Sequence, residues 1–545
     1  MKTAHEVLEV NREELQAVLE QARKEPLDEA GYEKLQALLR AFSYVADLIG
    51  EKDTTISQLR ALLMKPSTEK TNKVLEQAGL KPGSKSHLPD SGGKAKPGHG
   101  RNGAEAYRGA ERIHIPHASP KPGDCCPECL KGKVYAKKLP ALRIRVVGQA
   151  PLQATVYELE SLRCNLCGEV FEAEAPEGVG ENKYDESAAA MIGLLKYGSG
   201  VPFYRLAGLE RNLGIPLPVS TQWEIVEEVA ELIRPALEEL IRQAAQGEVF
   251  HNDDTGMKIL SLARESAASR GSPEERSSSH ERTGMFTSGI VSTRQGQRIA
   301  LFFTGRRHAG ENFAQVLAQR GAGLPPPIQM ADGLSRNFPK LPDKLKVIVG
   351  NCNAHSRRRF VEVASNFPEE CRYVLESLAE VYGYDAQAEE RGLSAEERLR
   401  FHQEHSRPVM AKLHAWLRAQ FAEKKVEPNS GLGSAITYCL KHWERLTLFL
   451  LQAGAPLDNN IVERALKKAV LHRKNSLFYK TENGAEVGDL FMSLIHTCEL
   501  NGANPFDYLT ELQKQAAEVA KDPSAWMPWN YRETPKQAAA ALRRG

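Results

Sequence analysis

Three acidic side chains in three separate settings carry the chemistry this chain is equipped for: Asp253, Asp332 and Glu463. Asp253 closes the run Gly247-Glu-Val-Phe-His-Asn-Asp253, and Asp332 closes Pro325-Pro-Pro-Ile-Gln-Met-Ala-Asp332. Each is expected at the C-terminal end of a short strand. Glu463 stands in Pro456-Leu-Asp-Asn-Asn-Ile-Val-Glu463, at the start of a strongly basic helix. Three convergent carboxylates are what a pair of Mg²⁺ ions needs for attack on a phosphodiester. A row of cations beside them suits a nucleic-acid backbone, and Arg464, Lys467, Lys468, Arg473 and Lys474 supply one.

Each acid also has a plainer reading. An Asp at a strand end is often a turn or cap residue. Asp254 adjoins Asp253 and faces the other way on an extended strand, so one of the two points into the site; the residues alone leave open which. Glu463 lies three residues after Asn460, the spacing of a capping box, and four before Lys467, the spacing of a helix ion pair. Gln also serves in a capping box, so Glu463→Gln separates a cap from a metal ligand.

The elements that must position these acids follow from the pattern around them. Val249–Asp253, Met257–Leu262, Gly284–Ser292 and Ile299–Thr304 have strand propensity, with a polar loop from Ser266 to Arg282 between two of them. A helix is expected near Glu311–Gln319 and further strands end at Asp332 and at Leu345–Val349. Antiparallel strands, a helix, then more strands is the order of an RNase H-like α/β core. Residues 247–354 form its first part, 355–450 a helical insertion and 451–515 its second part, with 516–545 as a tail.

Upstream, residues 181–246 read as helical. There Tyr204 to Gly214 gives a helix and a glycine turn, and Ser220 is the expected cap of a second helix, in the manner of a helix-turn-helix or a plain bundle. Residues 111–180 read as β-rich, with strands expected at Leu142–Val147 and Leu152–Glu160. Cys126-Pro-Glu-Cys129 and Cys164-Asn-Leu-Cys167 flank them as two knuckles, the donor set of a tetrahedral structural zinc-ribbon site. Redox use of either pair is the alternative. Residues 81–110 are rich in Gly, Pro, Lys and Arg and read as a basic flexible linker. Within 1–80, Leu35, Leu38, Phe42, Val45, Ile49, Ile56, Leu59 and Leu63 keep heptad spacing. That spacing predicts a coiled coil, and hence a partner helix, or an amphipathic helix packed on its own domain.

Composition bounds the class. A chain of 545 residues, 41% hydrophobic and 26% charged, suits a multidomain globular α/β protein. Lys+Arg 72 against Asp+Glu 70 leaves a net charge of only +2, so local basic stripes carry the electrostatic signal. No signal peptide or membrane span is expected. Nine cysteines, four of them in tight pairs, fit a reducing compartment, so the cytoplasm is the expected location.

Taken together these segments resemble the insertion sequence 66 family of bacterial DDE transposases. The shared stretches are His251-Asn-Asp-Asp-Thr255, Asp332-Gly333, and Cys352-Asn-Ala-His355 followed by Ser-Arg-Arg-Arg-Phe360. The longest runs from Asp458-Asn-Asn-Ile-Val-Glu463 through Arg473-Lys-Asn475 and Ser493-Leu-Ile495 to Asn501-Gly-Ala-Asn-Pro-Phe-Asp-Tyr-Leu509. The N-terminal heptads, the Gly-His-Gly-Arg-Asn-Gly linker (98–103) and the cysteine module match as well.

The resemblance implies Asp253 and Asp332 as the two catalytic aspartates and Glu463 as the glutamate. Together they would hold two Mg²⁺ ions, with Mn²⁺ as a substitute. It gives Cys352 and His355 a supporting role near the site or the DNA. It implies double-stranded DNA, both element ends and target, as substrate, hydrolysis that frees a 3′-OH, and transfer of that 3′-OH. It further implies a homo-oligomeric synaptic complex and accessory proteins of the same element. One departure is Asp-Asp-Thr where the family more often has Asp-Glu-Thr, which keeps the choice between Asp253 and Asp254 open. An RNase H-like nuclease or resolvase that cuts without joining is the alternative.

Overall fold

The computed structural model describes residues 182–268, 284–343 and 345–534 without a break, 70–80 with one gap and 105–179 with several. The heptad segment at 33–64 and nearly all of the basic linker lie outside the described residues, as does most of the polar loop before Arg282. The chain divides into two compact units. One comprises Met1–Ser86 and Cys352–Asp458, the other His87–Asn351 and Asn459–Gly545.

The second unit holds all three acids. Its centre is a five-stranded sheet of β3 (Val249–Gly256), β4 (Phe286–Arg294), β5 (Gln297–Gly305), β6 (Ile328–Ala331) and β7 (Ile348–Asn351), in the order β5-β4-β3-β6-β7. The two-stranded sheet upstream is β1 (Ser161–Arg163) with β2 (Val170–Glu172). In the large sheet β3 pairs antiparallel with β4, and β4 with β5, whereas β3–β6 and β6–β7 are parallel. Gln295 and Gly296, both at positive φ, turn β4 into β5 as a two-residue hairpin.

Helices cover both faces. Around the sheet run α1 (Glu186–Gly193), α2 (Phe203–Asn212), α3 (Val219–Ala244), α4 (Ala309–Leu317), α5 (Asn460–Ser476), α6 (Glu482–Leu500) and α7 (Pro505–Lys514). Phe250, Ile290 and Phe302 from the strands bury against Ile233, Phe313, Val462 and Ile495 from the helices. Burial of that size, at about 25 cal/mol per Å² of apolar surface, sets the sheet as a rigid platform.

The edge of the sheet is closed by side chains. Helix α6 and the residue after it offer Asp489, Ser493, Thr497 and Asn501, spaced by four. These accept from the backbone N–H of Thr304, Phe302, Ala300 and Arg298 at 2.5, 3.0, 3.1 and 3.1 Å. Four residues of helix advance about 6 Å, and two residues of strand about 6.6 Å. The two periods therefore stay in register over the length of β5, and an edge that would otherwise recruit another strand is satisfied internally.

Several strand expectations change. Leu142–Val147 and Leu152–Glu160 form no strand, and the cysteine module's ladder is the short β1–β2 pair. Met257–Leu262 is not a strand: Ile259 makes one isolated bridge to Tyr479, and a helix, Leu260–Ala268, starts in the Leu-Ala-Arg-Glu run of helix formers. Ser220 does not cap α3, which begins at Val219 after Pro218 and spends its buried face on the core. Its other positions include Glu224, Glu227, Glu228, Glu231 and Glu238, a field that repels phosphate.

Among its described residues, the first unit has long helices at Pro368–Glu390 and Ala395–Ala422. Among the described residues no helix is long and apolar enough to cross a membrane.

Candidate active site

The register of β3 sorts the two adjacent acids. β3 is paired with β4 along its whole length but with β6 only from Val249 to His251. Beyond His251 the place beside β3 is taken by a short 3₁₀ turn, Ser335–Asn337. Asp253 is therefore inside its strand with respect to β4, not at its end, yet it sits where the neighbour on the other side changes.

Asp254 is already committed. Its carboxylate is held by His308 Nδ1 at 2.9 Å and by the Arg336 guanidinium at 3.1 Å, with the Asp254 side chain only 1% exposed. The His308 ring lies against Phe286 at 4.2 Å between centroids. Asp253, one residue earlier, accepts the Asn337 side-chain N–H at 3.1 Å through Oδ1. The same turn thus binds both acids, Arg336 on one and Asn337 on the other.

Asp332 follows β6 directly. Its Oδ1 accepts the backbone N–H of Leu334 at 3.0 Å and the same Asn337 Nδ2 at 2.7 Å. Gly333 takes φ +87° between them, a conformation that L side chains resist, so this turn depends on a glycine. One buried amide therefore brings the Asp253 and Asp332 carboxylates together. Burial, and after it the charge of Asp332, push the Asp253 carboxyl up to about 7, against the opposing N–H groups of Asp254 and Asn337. A cation would relieve both causes.

Glu463 rides on α5, which is fastened along β3. The N-cap residue is Asn459, and its side chain does not cap. It spans to the strand, donating to the Asn252 carbonyl at 3.1 Å and meeting His251 Nδ1 at 3.1 Å. Because the amide N–H₂ is used on Asn252, its oxygen faces the imidazole, so His251 donates from Nδ1 as a neutral ring. Burial keeps that ring neutral, at about 4.

One turn further, Val462 and Leu466 press on Gly289, the cross-strand partner of Asp253; a Cβ there would lie 3.0 Å from Leu466. At the far end Arg473 donates to Thr255 Oγ1 at 3.1 Å and to the Gly256 carbonyl. Glu463, four residues after Asn459, shares its helix face. The alternative of a capping box at Glu463 does not hold, because Asn460 is already the first helical residue and Glu463 the fourth.

The cations of α5 divide. Arg464, Lys467 and Lys474 are exposed. Lys468 pairs with Glu499 at 2.8 Å and is largely covered, and Arg473 is used on β3. His472 is buried between the rings of Tyr479 and Tyr197, at 4.3 and 6.3 Å.

His355 lies in the first turn of the helix Asn353–Val363, in the other unit, with buried Cys352 as the N-cap residue. There Arg357 donates to Thr71 Oγ1 at 3.2 Å and Arg359 stacks over Tyr438 at 4.0 Å, so part of this arginine row packs internally.

Each cysteine knuckle is formed. Gly132 N–H points at Cys129 Sγ at 3.4 Å and Leu166 N–H at Cys164 Sγ at 3.5 Å. Backbone donors, that of Lys131 foremost, hold the Cys129 thiol below its ordinary range. N–H groups aimed at sulfur suit metal-bound thiolates. No three of the four sulfurs of Cys126, Cys129, Cys164 and Cys167 lie within 4.8 Å of one another.

The mixed five-stranded sheet, with helices packed on it and two carboxylates brought together where the neighbour of β3 changes, makes this an α/β protein. The comparison with known families is specific: the transposase IS66 family matches residues 182–487, and the chain belongs to that family. It is similar to the uncharacterized protein y4jD of Sinorhizobium fredii, 29% identical over 68% of this chain and 71% of the relative. It is also similar to y4hP of the same organism, 27% identical over 70% of this chain and 68% of the relative. No solved structure matches the chain.

Sequence reasoning missed Asn337 and Asn459. The only signal for Asn337 was its place five residues after Asp332 in a Ser-Arg-Asn turn.

Proposed function

We propose that the protein is a DNA transposase whose active site is Asp253, Asp332 and Glu463 on an RNase H-like core. The observation that carries this is the single amide of Asn337 bonded to both aspartates, which concentrates negative charge at one point of the sheet. The strand order β5-β4-β3-β6-β7, with β3, β6 and β7 parallel, supports the RNase H-like reading.

Mg²⁺ fits the acids, since oxygen donors under mutual repulsion are the ligands it takes. When bound, a pair of such ions stabilises the entering and leaving oxygens of an in-line displacement. Asp253 and Asp332 orient that charge. Glu463 completes the set from α5, whose attachment to His251 and Asn252 fixes its height above the strand. Arg464, Lys467 and Lys474 hold DNA phosphates and place the scissile bond. Neutral His251 adds no competing positive charge. The products are a 3′-OH at the element end and, after a second displacement, a joined target strand. Structural zinc on Cys126, Cys129, Cys164 and Cys167, and an oligomer that pairs two ends, belong to the same proposal. So do His355 as a supporting residue and accessory proteins of the element.

The test is a labelled element end incubated with protein and Mg²⁺, scored for cleavage and for joined product. Both are expected from the wild type, and neither from Glu463→Gln, a loss on the order of 10⁴-fold for an essential group. Cleavage without joining would make the protein a nuclease, and normal cleavage by Glu463→Gln would remove Glu463 from the site.

A further inference from the structure

Asn337 is fully buried, yet it lies on a surface turn and its side chain faces two acids. Its seat is elaborate. The main-chain carbonyl of Asn337 accepts from Asn252 Nδ2 at 2.7 Å and from Gln329 Nε2 at 2.8 Å. Gln329 Nε2 also donates to Asn252 Oδ1 at 2.9 Å. All three amides are buried, one on β3, one on β6 and one on the turn, and together they fill the gap that opens where β6 leaves β3. The Asn252 and Gln329 amides orient each other and together hold the main chain of Asn337 in place. Arg336, the preceding residue, pins the turn from the other side through Asp254.

The position of the donor matters more than its presence. Asp253 Oδ1 takes the N–H of Asp254 at 2.8 Å and that of Asn337, and Asp332 Oδ1 takes the N–H of Leu334 and that of Asn337. On both acids the same-named oxygen is fixed by two donors, which sets the plane and rotamer of the whole carboxylate. Two acids held like this do not have to be gathered when a cation arrives.

We infer that Asn337 is a positioning residue that pre-assembles the Asp253–Asp332 pair for divalent cations, its amide standing between the two carboxylates as a neutral clamp. This rests on the reading of Asp253 and Asp332 as metal ligands. Second-layer donors of this type are worth roughly 10- to 100-fold in metal affinity.

The experiment measures Mn²⁺ binding calorimetrically to the full chain without DNA, beside a melting curve for every variant. The set is Asn337→Asp, an isostere that replaces the shared donor by an acceptor, Asn337→Ser, which keeps a shorter donor, and Asp253→Asn. Asn337→Asp keeps the main-chain contacts to Asn252 and Gln329. Expected is a loss of Mn²⁺ affinity of about 10- to 100-fold in Asn337→Asp and a smaller loss in Asn337→Ser. Affinity for a short duplex in EDTA should be unchanged in both. Wild-type Mn²⁺ affinity in both folded Asn337 variants, with binding abolished in Asp253→Asn, overturns the clamp and leaves the site standing. Wild-type affinity in Asp253→Asn overturns the site itself. A variant that melts without weakening Mn²⁺ binding below its melting point assigns Asn337 to packing alone and likewise overturns the clamp.

Discussion

The acid pair and the cysteine module, both in the same unit, place their proposed metal donors in opposite ways. Around Asp253 and Asp332 the donors are fixed before any ion arrives, by buried amides, a glycine turn and a five-stranded sheet with a closed edge. In the cysteine module the ladder is three residues long, and large apolar side chains lie open, Leu166 at 94%. The acid pair is a product of the fold; on the proposed reading, zinc would be a condition for the fold of the cysteine module. A structural metal bound by a segment with little core contributes its binding energy directly to folding.

The contrast can be broken from either side. Removing zinc gives the largest expected effect. A strong chelator, or Cys126→Ser, should make residues 111–179 sensitive to protease while the main melting transition of the sheet stays in place. Retained protection without metal would contradict the contrast, and so would loss of the sheet along with the module. Zinc content near one per chain by elemental analysis accompanies the expected result.

Next comes the turn that carries Arg336 and Asn337. A Cβ on Gly310 in α4 would meet the Phe338 carbonyl and lie 2.7 Å from that of Arg336, both main-chain atoms that cannot swing aside. Gly310→Ala should cost about 1–3 kcal/mol in denaturant unfolding, on the scale of overpacking. Cleavage should fall with it, because the turn bearing Asn337 is displaced. Unchanged stability together with unchanged cleavage would show that the turn tolerates movement.

The smallest effect sharpens the account of the core. His472 is held at about 3 by burial and then by Lys196, below its ordinary value near 6.5. The unfolded chain therefore takes the proton first as the pH falls. The contribution is fully present above about pH 6.5 and is lost as the pH drops toward 3. His472→Phe keeps a ring in the stack and removes the titration. Relative to wild type, it should gain up to about 2 kcal/mol on going from pH 6.5 to pH 5. Parallel pH curves for the two proteins would argue that His472 takes up its proton in the fold as readily as in the unfolded chain.

The chain's own text made some of this legible. Short runs of strand propensity marked the strands that carry the acids, though Asp253 was expected at the end of its strand and lies inside it, while Asp332 directly follows β6. Strand propensity misled at Leu142–Val147, where β-branched residues have no partner strand to pack on, and at Met257–Leu262, where helix formers take over. The capping-box alternative at Glu463 fails because Asn459, not Asn460, precedes the helix, and its amide is used on β3. Lys468 and Arg473 looked identical to their exposed neighbours until Glu499 and Gly256 were placed beside them. Asn337 was unreadable, since its role arises from positions 252, 253, 329 and 332 meeting in space.

The sorting of the adjacent acids is the central claim, and one comparison tests it most directly: Mg²⁺-dependent cleavage of an element end by Asp253→Asn and by Asp254→Asn. Asp254→Asn breaks an ion pair whose arginine is 43% exposed, so it should lose roughly 1–3 kcal/mol of stability and keep cleavage within about tenfold. Asp253→Asn should fold normally and lose cleavage by about 10⁴-fold. Cleavage that survives in Asp253→Asn and disappears in folded Asp254→Asn would contradict the account.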